Sequence, residues 1–474
     1  MNAKMRYQCR RLQLLLTFLL LPTLLAWGQQ HGTGLIVDND IENKIPQKTR
    51  LLTRSYTSLP KSWSLRQYCP VADDQGIYQT CVGWATAYAA RTICEAVKNG
   101  WKNADKNTAE SFSPLFVYGK IKQIGTKECN MGTTLDDAMK LLKKTGVVKK
   151  KSFDTMCVEY VSSSLQNEAS RYKIDDYFLL FGPNHSYEDA VSKTKKAISE
   201  NCPVVIAFQS FNSFKSRGFD CWNGDARGDF GYHAMCVVGY DDSKYGGAFQ
   251  LMNSWGKDWG TNGFVWVRYN DYNKYTHDAV ELYLNPAKTE KTTTVSKNQF
   301  AGSVSLRLST GETLGATLAA TSDGIKCYRV TESLVSGTRY RIYLGNQQPG
   351  YVYVFSSDQQ NNVAVNFPAD SHTTAALTYS SNDIALPGET SWLELDNTRG
   401  TDYLCVLYSK YSIDVSSLLN HLKTAKGTFY QKVQSGFKKY LCPQGDIKYG
   451  SRNISFTATS TGAMVPVLIE FKHL

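Results

Sequence analysis

A cysteine, a histidine and an asparagine, with a glutamine just upstream of the cysteine, are the residue types that acyl transfer through sulfur requires. Cys81 follows the turn-rich string DDQGIYQT and opens a stretch with helical spacing, which places its sulfur at a helix N-terminus. Free amides and the dipole favour an anion there, and the thiolate is the nucleophilic form. Gln75 lies six residues earlier, so its side-chain amide can fold back beside the backbone N–H of Cys81. Two donors converging on one point make an oxyanion hole. His233 opens the run HAMCVVGY at the mouth of an expected strand, the rigid mount that a general base needs. Twenty residues on, LMNSWGKDWG delivers Asn253 from the next strand. An Asn carbonyl there fixes the ring and leaves the imidazolium charged, which suits a thiolate–imidazolium pair. Trp255 is placed to shield that bond from water.

The elements that must hold these groups are legible in the pattern. Thr80 is the expected N-cap of a helix from Cys81 to about Val97, with Tyr88, Ala89, Ile93, Ala96 and Val97 forming its apolar stripe and Asn99-Gly100 its end. Further helices are expected at Thr134–Lys144 and Tyr187–Ser199, the latter ahead of the buried-strand pattern CPVVIAF. Strands are expected at His233–Tyr240, Ala248–Trp255 and Gly263–Tyr269. Residues 287–300 are polar, Lys- and Thr-rich, and mark a domain boundary. Beyond them short β runs alternate with Gly, Asn, Ser and Pro turns, at Ser303–Leu308, Tyr340–Leu344, Tyr351–Phe355, Trp392–Leu395 and Tyr403–Tyr408. One helical segment, Val415–Leu422, interrupts them.

Three motifs occur in order: QGxxxxC at Gln75–Cys81, GYHAMCVVGY at Gly231–Tyr240, and NSWGxxWGxxG at Asn253–Gly263. Together they resemble the papain family of cysteine peptidases, in its divergent bacterial branch, over about 58–286. The resemblance implies an α+β, two-lobed fold, with a helical lobe and an antiparallel β-barrel-like lobe, followed here by a mainly-β, sandwich-like C-terminal domain. It implies Cys81 as nucleophile, His233 as general base and acid, Asn253 as orienting residue and Gln75 in the oxyanion hole. CNMG at Cys129–Gly132 resembles the segment whose backbone pairs with substrate, so substrate contacts are expected at Met131 and Gly132, and at Tyr232 and Trp255 beside the triad. Neither a metal nor an organic cofactor is required.

The chain departs from that pattern in several places. Val82-Gly83 separate the nucleophile from Trp84, where the family has Trp at once. Tyr78 stands where the family has a half-cystine, so Cys129 is free or pairs elsewhere, with Cys157 as one option. Residues 29–57 form an N-terminal arm or short activation segment, too short for the family's long inhibitory prosegment, so any latency is expected to arise elsewhere. The β runs from 301 to 474 resemble an uncharacterised β-rich domain appended to exported enzymes, a structural module or a binder of peptide, glycan or partner.

The chain has 474 residues with 20% charged and 42% hydrophobic, an ordinary globular composition that excludes collagen-like and wholly disordered chains. Residues 1–28 combine Lys4, Arg6, Arg10 and Arg11, an apolar run LQLLLTFLLLPTLLAW, and Ala26-Trp27-Gly28, the layout of a cleaved secretory signal. They account for four of the +11 formal charges, and the remaining +7 is spread without basic runs, which argues against nucleic acid. No later stretch is long enough to span a bilayer. Eleven cysteines follow the signal, an odd number that leaves at least one thiol unpaired or paired between chains. His185, His277, His372 and His421 lack a catalytic setting and are expected at the surface. The expectation is an exported cysteine endopeptidase acting on protein or peptide. The alternatives are an inactive surface or periplasmic binding protein on the same fold, or an amide hydrolase or acyl transferase acting on a non-peptide.

Overall fold

The computed structural model describes residues 31–42, 44–123, 127–216, 218–285, 297–322 and 324–474. The expected signal at 1–28 and most of the expected linker lie outside the described residues. The cysteine-bearing helix, α1, runs as an α-turn Cys81–Gly83, a π stretch Trp84–Arg91 and an α-helix Thr92–Asn99. Every residue from Cys81 to Ile93 is buried, five of them Ala or Gly, and Gly100 closes the helix in the left-handed conformation at φ +67°. Thr80 precedes the helix without capping it. Its hydroxyl instead accepts from the Trp84 indole at 3.2 Å.

Helix α2 (Pro114–Ile121) is capped by Ser113 and has Pro in its first turn. It crosses α1 where Gly83 faces the Pro114 carbonyl, and a Cβ on residue 83 would lie 2.2 Å from that oxygen. Gly83 is therefore a packing requirement, because the Cys81 helix lies against α2 with no room for a side chain there; nothing in the structure explains Val82. Helix α3 (Leu135–Lys144) is capped by Thr134, with Asp136 and Asp137 in its first turn and Lys143 and Lys144 in its last. Helix α4 (Tyr187–Ser199) is capped by Ser186.

The second lobe is an antiparallel sheet of β1 (Ser62–Ser64), β2 (Asp176–Phe181), β3 (Val204–Phe211), β4 (Phe230–Asp241), β5 (Ala248–Met252), β6 (Phe264–Arg268) and β7 (Thr276–Tyr283). Their order is β2-β7-β3-β4-β5-β6, with β1 added to β4. β3, β4 and β7 are buried over most of their length and form the core, while β2 is an edge.

The C-terminal domain holds two sheets. One runs Val363–Phe367, Gly350–Ser357, Gly400–Ser409, Met464–His473, Lys326–Val330 and Ala316–Ala320. The other runs Asn382–Leu386, Arg339–Asn346, Asn298–Leu308, Ile454–Ser460 and Ile447–Tyr449. The expected helix spans Val415–Thr424 and is followed by a second, Phe429–Phe437, which opens on a Thr428/Gln431 capping box. The expected strand Trp392–Leu395 shortens to Leu393–Glu394, and Asn253 lies just past its strand rather than within it.

Residues 31–57 cross both domains. Pro46, Gln47 and Lys48 lie alongside Leu179 on the free edge of β2 and Thr373 of the C-terminal domain. Three expected surface histidines are half-buried: His185 bonds Gly182 O and Asn273 O, His277 bonds Asp278, and His421 bonds Lys432 O and Ser435. Among the described residues no helix is long and apolar enough to cross a membrane. Gly83→Ala should cost about 1–3 kcal/mol through overpacking at the α1–α2 crossing, read as a lower urea midpoint, whereas Gly100→Asn should cost less.

Candidate active site

The β4–β5 register pairs Cys236 with Met252, which brings Asn253 alongside His233. The His233 Nε2–H donates to Asn253 Oδ1 at 2.7 Å. The Ser254 backbone N–H donates to the same oxygen at 2.8 Å, which fixes which end of the amide faces the ring. An oxygen acceptor requires the proton on Nε2, so Nδ1 presents its lone pair. That nitrogen is buried, with no hydrogen-bond partner among the described residues. Trp255 stacks on His233 with ring centroids 4.5 Å apart and covers the bond to Asn253.

Gln75 is wholly buried. Its Oε1 accepts from Ser254 Oγ at 2.6 Å, and its amide nitrogen donates to Tyr78 O at 2.7 Å and Gly32 O at 3.1 Å. Cys81 is a free thiol, fully buried, with the backbone amides of Ala234 and Gly34 directed at it. Cys129 is joined to Cys157.

Two of these partners, Gly32 and Gly34, belong to the N-terminal arm. His31 also stacks on Trp255, centroids 5.1 Å apart, with Asp74 Oδ1 3.7 Å from its Nδ1. Gly32 N–H donates to Gly76 O at 3.2 Å. Leu35 N–H donates to Tyr232 O at 3.3 Å, Thr133 N–H to Gly34 O at 2.9 Å, and Ile36 N–H to Thr133 O at 2.9 Å. The segment His31–Ile36 thus fills the cleft from Trp255 to the CNMG segment. Both glycines are demanded by the slot, since a Cβ on Gly32 would lie 2.1 Å from Tyr78 O and one on Gly34 2.2 Å from Gln79 O.

The arm is seated but not presented for cleavage. Attack requires one carbonyl to be both polarised by Gln75 and faced by the sulfur. Here Gly32 supplies the carbonyl to Gln75, whereas the Cys81 sulfur faces the N–H of Gly34, two residues further on.

Closure also sets the protonation of the pair. Burial is the largest influence on each group. It pushes the Cys81 thiol up to about 11, against the amides that lower it. It takes His233 down to about 4, opposed by Asn253 and helped by His31 and Lys215. In the plugged cleft the pair is therefore a neutral thiol and a neutral imidazole, not the expected thiolate–imidazolium.

The structure brings together Gln75, Cys81, His233, Asn253 and Trp255. Tyr232 contributes its carbonyl, and Met131 is partly exposed with its carbonyl held by Tyr118. Gly132 lies against Ile36, but the backbone rung belongs to the next residue, Thr133. Sequence reasoning missed His31, Thr133 and Ser254. The available signal for the arm was HGTG in an otherwise polar stretch, two glycines one residue apart.

A buried Cys and a buried Gln thus share one cleft with a buried His that is bonded to an Asn. Residues 59–283 match the papain family of cysteine proteases, and residues 333–411 match a domain of unknown function. Residues 59–283 thus form a papain family cysteine protease domain. An uncharacterised peptidase C1-like protein of Acanthamoeba polyphaga mimivirus is 26% identical over 43% of this chain and 65% of its own length. A cysteine protease of Blomia tropicalis is 25% identical over 46% of this chain and 63% of its own. The chain thus spans just under two thirds of these relatives. Xylellain, a cysteine protease of Xylella fastidiosa, aligns with a TM-score of 0.44 at 23% identity over 54% of this chain and 97% of its own.

A plugged cleft that holds His233 down to about 4 binds fewer protons in mild acid than a solvated imidazole, whose ordinary value is 6.5, would bind in its place. Closure is at full strength above 6.5 and weakens as pH falls toward 4. Amides of residues 31–37 in a Cys81→Ala chain should exchange hydrogen faster at pH 5 than at pH 7 after correction for intrinsic rates, by at most about tenfold per pH unit. His233→Gln should flatten that dependence.

Proposed function

We propose that the chain is an exported cysteine endopeptidase, latent until its own N-terminal arm leaves the cleft. The observation that carries this reading is the His233–Asn253 bond under Trp255, with Cys81 and Gln75 held in the same cleft. With the arm gone and water admitted, both burial penalties relax and a proton moves from Cys81 Sγ to His233 Nδ1. The thiolate attacks the substrate carbonyl, and the developing oxyanion takes the donors of Gln75 Nε2 and Cys81 N–H. His233 returns its proton to the leaving amine, giving an acyl-enzyme. The same imidazole then deprotonates water, which attacks the thioester; the acid product and the free thiol are released.

Asn253, itself held by Ser254, keeps the ring turned so that Nδ1 serves both transfers. Thr133 offers one N–H and one C=O to an extended chain, the same pair the arm now uses. That pairing supports a peptide as substrate. The signal-like residues 1–28 and the Cys129–Cys157 bond support export.

The check is hydrolysis of a mixed fluorogenic peptide library under reductant by a chain whose arm is expelled through Gly34→Leu. Cys81→Ala in that background should abolish cleavage. Gln75→Ala should lower kcat on the order of 10²–10³-fold with KM nearly constant. Cleavage that survives Cys81→Ala would refute the nucleophile.

A further inference from the structure

Beyond the cleft, residues 45–54 of the arm lie in the seam between the two domains, and much of what holds them comes from the C-terminal side. Gln47 bonds that domain through both backbone groups: its N–H donates to His372 O at 2.5 Å and its C=O accepts from Thr374 N–H at 3.0 Å. Thr49 Oγ1 donates to Thr374 O at 3.0 Å. Leu52 N–H donates to Asp383 O at 2.8 Å, and Arg54 reaches the Asp383 carboxylate at 2.7 Å. Thr53 donates to Glu389 twice, from its backbone N–H at 2.9 Å and its hydroxyl at 2.8 Å.

The centre of the seam is a buried charge shared by three parts of the chain. Glu281 on β7 has no exposed surface. Its carboxylate accepts from Lys48 Nζ of the arm at 2.6 Å, and from Tyr379 OH at 2.5 Å and Thr378 Oγ1 at 3.4 Å in the C-terminal domain. The Lys48 ammonium lies 3.3 Å over the Tyr379 ring. A buried carboxylate is tolerated only when paired and hydrogen-bonded. Here arm and C-terminal domain supply those partners jointly, so withdrawing either exposes a deficit in the peptidase sheet.

We propose that the C-terminal domain is the catch of the latent state. It pins residues 45–54 against the edge of the peptidase sheet and, through the short connection 38–44, keeps His31–Ile36 in the catalytic cleft. This rests on the reading of the arm as the inhibitory segment. A plug tethered a few residues from a fixed anchor meets its cleft at high effective concentration. Loosening the anchor lowers that concentration even though every bond between plug and cleft can still form. Release then requires either a cut between residues 38 and 44, or a displacement of the C-terminal domain.

The test uses the full chain and the rate at which iodoacetamide modifies Cys81 at pH 7, read on its peptide by mass spectrometry. Gly34→Leu, which expels the plug directly, sets the fast limit. Two variants loosen only the catch: Gln47→Pro, which deletes the N–H given to His372, and the triple Thr49→Val, Thr53→Ala, Glu389→Ala at the seam's periphery. Urea unfolding checks that each keeps its fold, and the triple decides if Gln47→Pro does not. The expected result is a rise of roughly tenfold or more over the unaltered chain in the catch variants. Catch variants as slow as the unaltered chain, beside a fast Gly34→Leu, overturn the catch and leave the latent peptidase standing. A Gly34→Leu chain no faster than the unaltered one overturns the inhibitory arm and the catch together. Fast modification in Gly34→Leu without peptide hydrolysis overturns the peptidase reading, and the catch is then judged on modification rates alone.

Discussion

Burying a thiol beside an imidazole penalises the charged form of each, and that penalty governs the rest of this molecule. A cleft dry enough to hold the Asn253 bond and strengthen an oxyanion hole would, if wholly sealed, leave Cys81 and His233 neutral and inert. The protein divides the task. Trp255 dries the orienting side of the ring permanently, whereas the side facing the substrate is dried only by what occupies the cleft. The glycines of the arm bring backbone close enough to seal that side completely. Peptide substrate would approach by the same backbone surfaces, but with a carbonyl where the arm offers Gly34 N–H.

Much of the machinery is legible in the sequence because it depends on local signals. The helix N-terminus at Cys81 and the strand bearing His233 follow from periodicity and turn residues, and the order of the motifs along the chain matches a known family, whereas the end of the next strand just before Asn253 does not show in the pattern. What the sequence hides depends on tertiary juxtaposition. Thr80 looks like a cap, yet the Trp84 indole claims its hydroxyl. His31 lies in a polar stretch with no periodicity, and only the folded chain sets it on Trp255. The arm looks too short to inhibit when its length is set against that of a self-folding prosegment. A segment that borrows its rigidity from two existing domains needs only enough residues to reach.

That borrowing also explains why the seam is polar where many domain interfaces are apolar. Glu281 projects from the core strand β7 into a position that neither domain can satisfy by itself. Buried ionic groups of this sort are poor sources of net stability, because desolvation offsets most of the attraction. They discriminate well between arrangements, since a partner that is slightly displaced forfeits the whole compensation. A hydrophobic seam would hold the domains together in many registers; this one favours the register in which Lys48 lies over Tyr379 and the arm is drawn taut.

The position of the Cys129–Cys157 cystine has a bearing on how the nucleophile survives until it is used. Cys129 O accepts from Gln79 N–H, two residues before Cys81, so an oxidised pair and a thiol that must stay reduced share one short stretch of wall. Thiol–disulfide exchange and oxidation by peroxide both proceed through the thiolate and require access to the sulfur. With the arm in place Cys81 has neither, because its proton is held and no solvent reaches it. The seated arm therefore shields Cys81 as well as filling its cleft, keeping that sulfur from exchange with the neighbouring cystine.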